Sequence, residues 1–235
     1  MTTKQPASIR RKVAARIADA LKGAIIGGRM RPGDALPSER ELAQKYDVNR
    51  SSVREAVRWL EAWGLVQVRH GGATRVADFL LSAGVELLPS IVEMGAKADP
   101  SILKDLHDIR SMLLGWCAEQ AATLADASSV SRLDALARRL ADKKARPATL
   151  QELDYDFFQA LLSISGNRLL MLFSNVVRDV YLHNRGRFLP IYKRGVFDPT
   201  HHRRAVAAIR ARNARAAGEA MRAHAASALR ALEVG

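Results

Sequence analysis

The chain has 235 residues, 48% of them apolar, which is enough for two modest domains with buried cores and too apolar for disorder to be the default. It carries 37 Lys and Arg against 24 Asp and Glu, a formal charge of +13 that favours an anionic partner. Cys117 is its only cysteine, which excludes an internal disulfide and fits a reducing compartment. No stretch approaches the ~18 apolar residues of a membrane span; FLLSAGVELLPSIV is broken by Glu86 and Pro89. The opening MTTKQPASIRRK has no apolar segment after its charges, as a secretory signal would, so a cytoplasmic protein is expected.

The charge is uneven. Residues 1–78 hold 15 basic and 8 acidic side chains, and residues 79–235 hold 22 and 16, so the first third is the more positive per residue. A first helix is predicted over 9–27, where Val13, Ile17, Leu21 and Ile25 recur every four residues and form one apolar stripe. GGRMRPGDALP interrupts it with glycines and prolines. Ser38 followed by Glu41 has the spacing of a capping box and opens a short helix over about 38–46. A second helix starts at Asn49 or Ser51 and runs to Ala62. It places Val53, Ala56, Val57 and Leu60 on one face and turns Arg50, Ser52, Arg54 and Arg58 elsewhere.

Two short helices joined by a brief turn, the second opening on arginine and small hydroxyl residues, make a helix-turn-helix arrangement. Residues 65–69 and 74–76 alternate around His70-Gly71-Gly72 and read as a two-stranded wing. Any one of these arginines could simply solvate a helix face; the order of helix, capped helix, arginine-bearing helix and wing is what points to duplex DNA. Arginine can pair with guanine O6 and N7, and Ser and Asn suit phosphates or other base edges.

PGDALPSERELAQKYDVNRSSVREAVRWLEAWGLVQVRHGGATRV resembles the winged-helix domain of the GntR family of bacterial regulators, and within it the fatty-acid-responsive FadR subfamily. The resemblance implies operator contacts from Arg40, Asn49, Arg50, Ser51, Ser52, Arg54, His70 and Gly71. Ser51 and Ser52 replace family threonines and keep the hydroxyl; Asn49 also stands where a threonine is usual. It further implies a homodimer on a palindromic operator, whose symmetry the protein mirrors.

The rest of the chain reads as helical, with breaks near 97–100, 126–129, 145–149, 166 and 188–199. Six or seven antiparallel helices with short connections suggest a bundle. The fold class expected is therefore mainly α: an N-terminal winged helix-turn-helix domain (1–78) and a C-terminal helical effector-binding and dimerisation domain (79–235).

The second domain resembles the effector domain of the same branch over about 80–232, most clearly at Leu153-Asp154-Tyr155-Asp156-Phe157-Phe158. Many relatives there hold a divalent metal with an Asp, a His four residues later and two further His, and the metal grips a carboxylate ligand. Asp154, His202 and His224 match three of these positions and Phe158 replaces the fourth, so the resemblance implies a weaker zinc, nickel or manganese site. Equally, both histidines could be ordinary buried polar residues.

The subfamily that binds acyl-CoA instead of a metal-bound acid also carries a Phe four residues after the Asp. The resemblance thus implies a small anionic effector, acyl-CoA first, with Arg110, Asp154, Phe158, Tyr181, His202 and His224 around it. The basic residues between 185 and 215 could welcome a phosphate or form a solvated surface. Arg110 could pair with the effector or with a carboxylate of the bundle. An enzyme is not expected. There is no nucleophile elbow or P-loop, and Asp154 and Asp156, two apart on a helix, diverge. Ligand entry is expected to shift the segment of about 79–95 that follows the wing and so release DNA.

Overall fold

The computed structural model describes residues 7–69, 72–95, 99, 101–193 and 196–233. It divides into two compact units, Met1–Pro100 and Ser101–Gly235. The first is a winged helix-turn-helix with a small sheet and the second is helical, as the patterning predicts.

In the first unit α1 (Ala7–Ile26) buries Ala14, Ile17, Ala18, Leu21 and Ile25 against the helix pair that follows. Helix α2 (Glu39–Lys45) opens on a complete capping box: the Glu41 N–H donates to Ser38 Oγ at 3.3 Å, and the Ser38 N–H donates to Glu41 Oε2 at 2.7 Å. The turn to α3 (Arg50–Ala62) passes through Asp47 at φ 51, a left-handed position that aspartate tolerates better than most residues. Val53, Ala56 and Leu60 of α3 are completely buried. Full burial of a leucine such as Leu60 stabilises by about 2 kcal/mol.

Strands β1 (Val66–Gln67) and β2 (Arg75–Val76) pair antiparallel, with Val66 opposite Val76 and Gln67 opposite Arg75. The glycine- and proline-rich segment before α2 is more than an interruption. Ala35 bridges to Arg75, the Leu36 N–H donates to the Thr74 carbonyl at 2.8 Å, and the Val76 N–H donates to the Asp34 carbonyl at 2.9 Å. This covers the free edge of the wing strand, which would otherwise leave backbone donors unpaired.

The expected domain boundary lay at residue 78, but the compact first unit runs on to Pro100. Phe79, Leu87, Ile91 and Met94 pack on the same core as Leu21 and Leu60, so the segment after the wing packs with the first unit. Gly64 makes this return possible: at φ 70 it lies so near Ser82 that a Cβ would meet the Ser82 carbonyl oxygen at 2.3 Å.

The second unit contains, among the described residues, six helices longer than two turns: α4 (Ser101–Leu124), α5 (Ala127–Leu140), α6 (Pro147–Ser165), α7 (Arg168–His183), α8 (Thr200–Arg210) and α9 (Ala214–Glu233). Their shared core includes Leu114, Ala121, Leu133, Phe157, Leu161, Ile209 and Met221. Cys117 is buried in it, and burial pushes its thiol up to about 12, so it is a packing residue and not a reactive thiol. Helices α4 and α9 approach closely at Gly115, where a Cβ would lie 2.4 Å from Arg222 Nη1. That approach brings Arg110 of α4 and His224 of α9 within reach of each other.

Candidate functional site

Helix α3 carries the exposed basic face of the first unit. Arg50 and Arg54 are exposed one turn apart on it, and Arg40 is exposed on α2. Asn49 caps α3. Its Oδ1 accepts from the Ser52 N–H at 2.9 Å, the Ser52 hydroxyl at 3.1 Å and the Ser51 hydroxyl at 2.7 Å. Ser51 is exposed, but Ser52 is fully buried. Ser52 thus departs from the expected surface contact, because its hydroxyl is the inward partner of the cap. His70 and Gly71, expected at the wing tip, lie outside the described residues. An arginine-bearing helix of this length beside a two-stranded wing suits a duplex, whose major groove is wide enough to admit a helix.

The second unit gathers its titratable side chains at one point. Asp154 on α6 is buried with both carboxylate oxygens occupied. Oδ1 lies 2.7 Å from His202 Nε2 on α8 and 3.0 Å from His224 Nε2 on α9. Oδ2 accepts from Arg110 Nη2 on α4 at 2.9 Å and from the Tyr192 hydroxyl at 2.7 Å. Arg110 Nη2 also stands 3.2 Å from His224 Nε2. Arg110 therefore pairs with a bundle carboxylate, one of its two expected roles.

Burial alone would raise the Asp154 carboxyl, yet His224, His202 and Arg110 hold it well below the usual carboxylate range. His224 is itself lowered to about 4, first by burial, against the opposing pull of Asp154. It is therefore neutral near pH 7, and the ionised Asp154 rests on the Arg110 charge and the donors from His202 and Tyr192. Burial, followed by the nearby Asp154 charge, raises the Tyr192 phenol well above its ordinary value and keeps it protonated as a donor.

A cavity of about 120 Å³, partly open to solvent, ends on this cluster. Arg110, Asp154 and Tyr192 mark its polar end; Leu103, Leu106, Ile109, Leu113, Phe158 and Val177 make most of its wall apolar. Phe158 stands one turn after Asp154, where a fourth ligand would be, and belongs to that wall. Tyr181 also lines the cavity, stacked on Tyr155 at 5.0 Å, but its hydroxyl donates to the Gln151 carbonyl at 2.8 Å. Of the six expected effector residues, Arg110, Asp154, Phe158 and Tyr181 line the cavity, while His202 and His224 contact Asp154 and are not part of its wall. Tyr192 was missed; the only signal for it was an aromatic ring beside Pro190 in a segment that read as a loop.

Asp154, His202 and His224 offer ligand atoms that all lie within 4.8 Å of one another, and His202 Nδ1 and His224 Nδ1 are buried without a hydrogen-bond partner. By donor type and burial these three would hold a divalent ion such as zinc, nickel or manganese. Two features of this chain weigh against one: Phe158 supplies no ligand, and the Arg110 cation already neutralises Asp154. Among the described residues, four of the basic side chains between 185 and 215 have partners other than the cavity. Arg185 pairs with Glu152 and Arg215 with Glu219. Arg210 lies 3.7 Å from Asp134, and Arg212 donates to the carbonyls of Ala122 and Thr123 at the end of α4.

Both units match known domain families. Residues 13–76 match "Bacterial regulatory proteins, gntR family", and residues 105–227 match the FCD domain. The "HTH-type transcriptional regulator Mce2R" of Mycobacterium tuberculosis is 34% identical over 172 residues, covering 73% of this chain and 71% of that protein. The chain belongs to the GntR family.

A "Fatty acid metabolism regulator protein" of Klebsiella pneumoniae is 28% identical over 157 residues, covering 67% of this chain and 64% of that protein. A GntR-family regulator from Pseudomonas syringae shares the fold, with a TM-score of 0.50 at 22% identity over 98% of this chain and 88% of the other. This GntR-family chain is accordingly a DNA-binding transcription regulator with an FCD effector domain, and its relatives are regulators and not enzymes. No helix among the described residues is long and apolar enough to cross a membrane.

On the DNA face, Arg50→Ala is expected to weaken operator binding by about 1–3 kcal/mol and to relax specificity at one base pair. Binding to an operator series with single substitutions checks this; equal losses on operator and random duplex would show that Arg50 touches only phosphate.

Proposed function

We propose that this regulator binds a palindromic operator as a homodimer, and that a fatty acyl-CoA entering the FCD cavity releases it, so that the protein acts as a repressor. The single observation that carries the effector reading is the cavity itself. Its wall is chiefly aliphatic and aromatic, and its polar groups sit at one end, the arrangement expected of a small-molecule site. An acyl chain would lie along the apolar wall with its thioester end toward Arg110 and Tyr192. The relative described as a fatty acid metabolism regulator supports the same class of effector. Within the DNA-binding unit, Arg40, Asn49, Arg50, Ser51 and Arg54 are the proposed contacts, together with the wing residues His70 and Gly71.

A second reading, a metal-dependent sensor of an organic acid, has the convergence of Asp154, His202 and His224 behind it. A metal would supply a Lewis-acidic grip on a carboxylate. The acyl-CoA reading is preferred because Phe158 extends the apolar wall and Arg110 already occupies Asp154.

Titration with acyl-CoAs of increasing chain length tests the proposal. Ligand at a hundred times its dissociation constant is expected to stabilise the protein by about 2.7 kcal/mol and to lower operator affinity. Operator affinity unchanged at saturating acyl-CoA rejects the coupling. Metal found stoichiometrically in the purified protein, with a short organic acid as the releasing ligand, replaces it by the second reading.

A further inference from the structure

Glu39 opens α2 and has no part in its capping box, where Glu41 bonds both the main chain and the hydroxyl of Ser38. Its carboxylate instead reaches across to the arginine-bearing helix, where Arg54 Nε donates to Glu39 Oε2 at 2.7 Å. Both side chains are well exposed, 62% for Arg54 and 40% for Glu39, so the pair adds little to stability. An acidic side chain on the face that must meet phosphates also works against DNA affinity in general. Neither the stability of the pair nor DNA affinity explains why this carboxylate reaches across to Arg54.

The geometry points to a role in specificity. An arginine can read guanine through its two terminal nitrogens or through Nε and one terminal nitrogen. With Nε committed to Glu39, only the terminal pair of Arg54, on an exposed side chain, is left without a partner among the described residues. We propose that Glu39 is a specificity-determining residue of this reading head. It fixes the Arg54 fork for end-on pairing with a base edge, and its charge penalises docking on phosphate alone. The inference rests on the reading that Arg54 faces DNA.

The pairing limits the readout of Arg54 to one geometry, and this bears on discrimination more than on affinity. A guanidinium freed from Glu39 can swing to the nearest phosphate, a contact available on any sequence. Losing the carboxylate should therefore tighten binding to random duplex while weakening binding to the operator.

The experiment uses the full chain, an operator selected by that chain from a randomised duplex library, and a scrambled duplex of equal length. Glu39→Ala is expected to reduce the ratio of operator to scrambled affinity roughly tenfold, in line with the discrimination given by one bidentate base contact. Glu39→Gln, which keeps an acceptor for Nε but removes the charge, is expected to keep more of the operator affinity while still tightening binding to the scrambled duplex.

The same Glu39→Ala change in an Arg54→Ala background should leave the ratio unchanged. Glu39 also lies in the first turn of α2, where a negative charge favours the helix; loss of that effect would be the same in either background. An equal drop in both backgrounds, or a ratio untouched by Glu39→Ala while Arg54→Ala lowers it, overturns the role of Glu39. Arg54→Ala leaving both affinities unchanged overturns the placement of Arg54 at DNA and the inference with it.

Discussion

Asp154→Ala is expected to destabilise the helical unit by about 3–5 kcal/mol, the usual cost of removing one partner from a buried charged network. One carboxylate meets four side chains on three long helices and a 3-10 turn: Arg110, His202, His224 and Tyr192. Alanine leaves the guanidinium beside the neutral His224 ring, with no counter-charge within hydrogen-bonding distance, and leaves the Tyr192 hydroxyl unpaired inside the core. A buried donor without an acceptor costs about 1–3 kcal/mol by itself. Natural domains are stable by only about 5–15 kcal/mol, so the effect is a large share of the total. Asp154→Asn should cost less, because its amide oxygen still accepts, but it lacks the charge that balances Arg110. Urea unfolding of the full chain at pH 7, followed by far-ultraviolet circular dichroism, measures both. A loss below about 1 kcal/mol for the alanine variant would mean that the four side chains find other partners and that Asp154 does not hold the helices together.

What the sequence made legible was local. The stripe of Ile17, Leu21 and Ile25, the Ser38/Glu41 capping box and the apolar face of α3 all depend on spacings of three or four residues, and each stands where the pattern placed it. Asn49 as a cap was also within reach, since it precedes the helix. The departures involve partners far apart along the chain. Ala35 joins the edge of the wing strand at Arg75, forty residues on, through backbone pairing that no side chain announces. Glu39 and Arg54 lie fifteen apart, and each alone looks like a solvated charge. Ser52 reads as a surface hydroxyl because it neighbours Arg50 and Ser51, yet it stands one turn before Ala56, at the edge of the buried side of α3. In the second unit the resemblance supplied Asp154, His202 and His224, but neither periodicity nor spacing could say that Arg110 closes on the same carboxylate or that Tyr192 joins it. The pattern of 79–95 shows helix type without showing which core its apolar residues meet. Phe79, Leu87 and Ile91 fit the first core, and the chain turns back at Gly64 to let them reach it.

The same buried cluster makes stability fall as the medium becomes acidic, over a window that His224 sets. In the folded protein its imidazole is lowered to about 4 from an ordinary value of 6.5, chiefly by burial. Between those two values the unfolded chain takes up a proton that the folded chain refuses, so acid favours unfolding. The stabilisation is therefore complete above pH 6.5, declines as the pH drops toward 4, and amounts in all to roughly 3 kcal/mol. Asp154 acts in the same direction at lower pH: its carboxyl is held well below 3.8, so protonation of the unfolded chain continues the loss beneath pH 4. Between pH 7 and pH 5 the unfolding free energy is expected to drop by about 2 kcal/mol from His224 alone. His224→Gln removes the titrating ring while leaving a polar group beside Asp154. The variant should be less stable at pH 7, yet lose about 2 kcal/mol less than the parent between pH 7 and pH 5. Parallel curves for the two proteins would show that His224 is already protonated in the folded state at pH 5. The cluster would then hold an imidazolium against Asp154, and Arg110 would no longer be the main charge balancing that carboxylate.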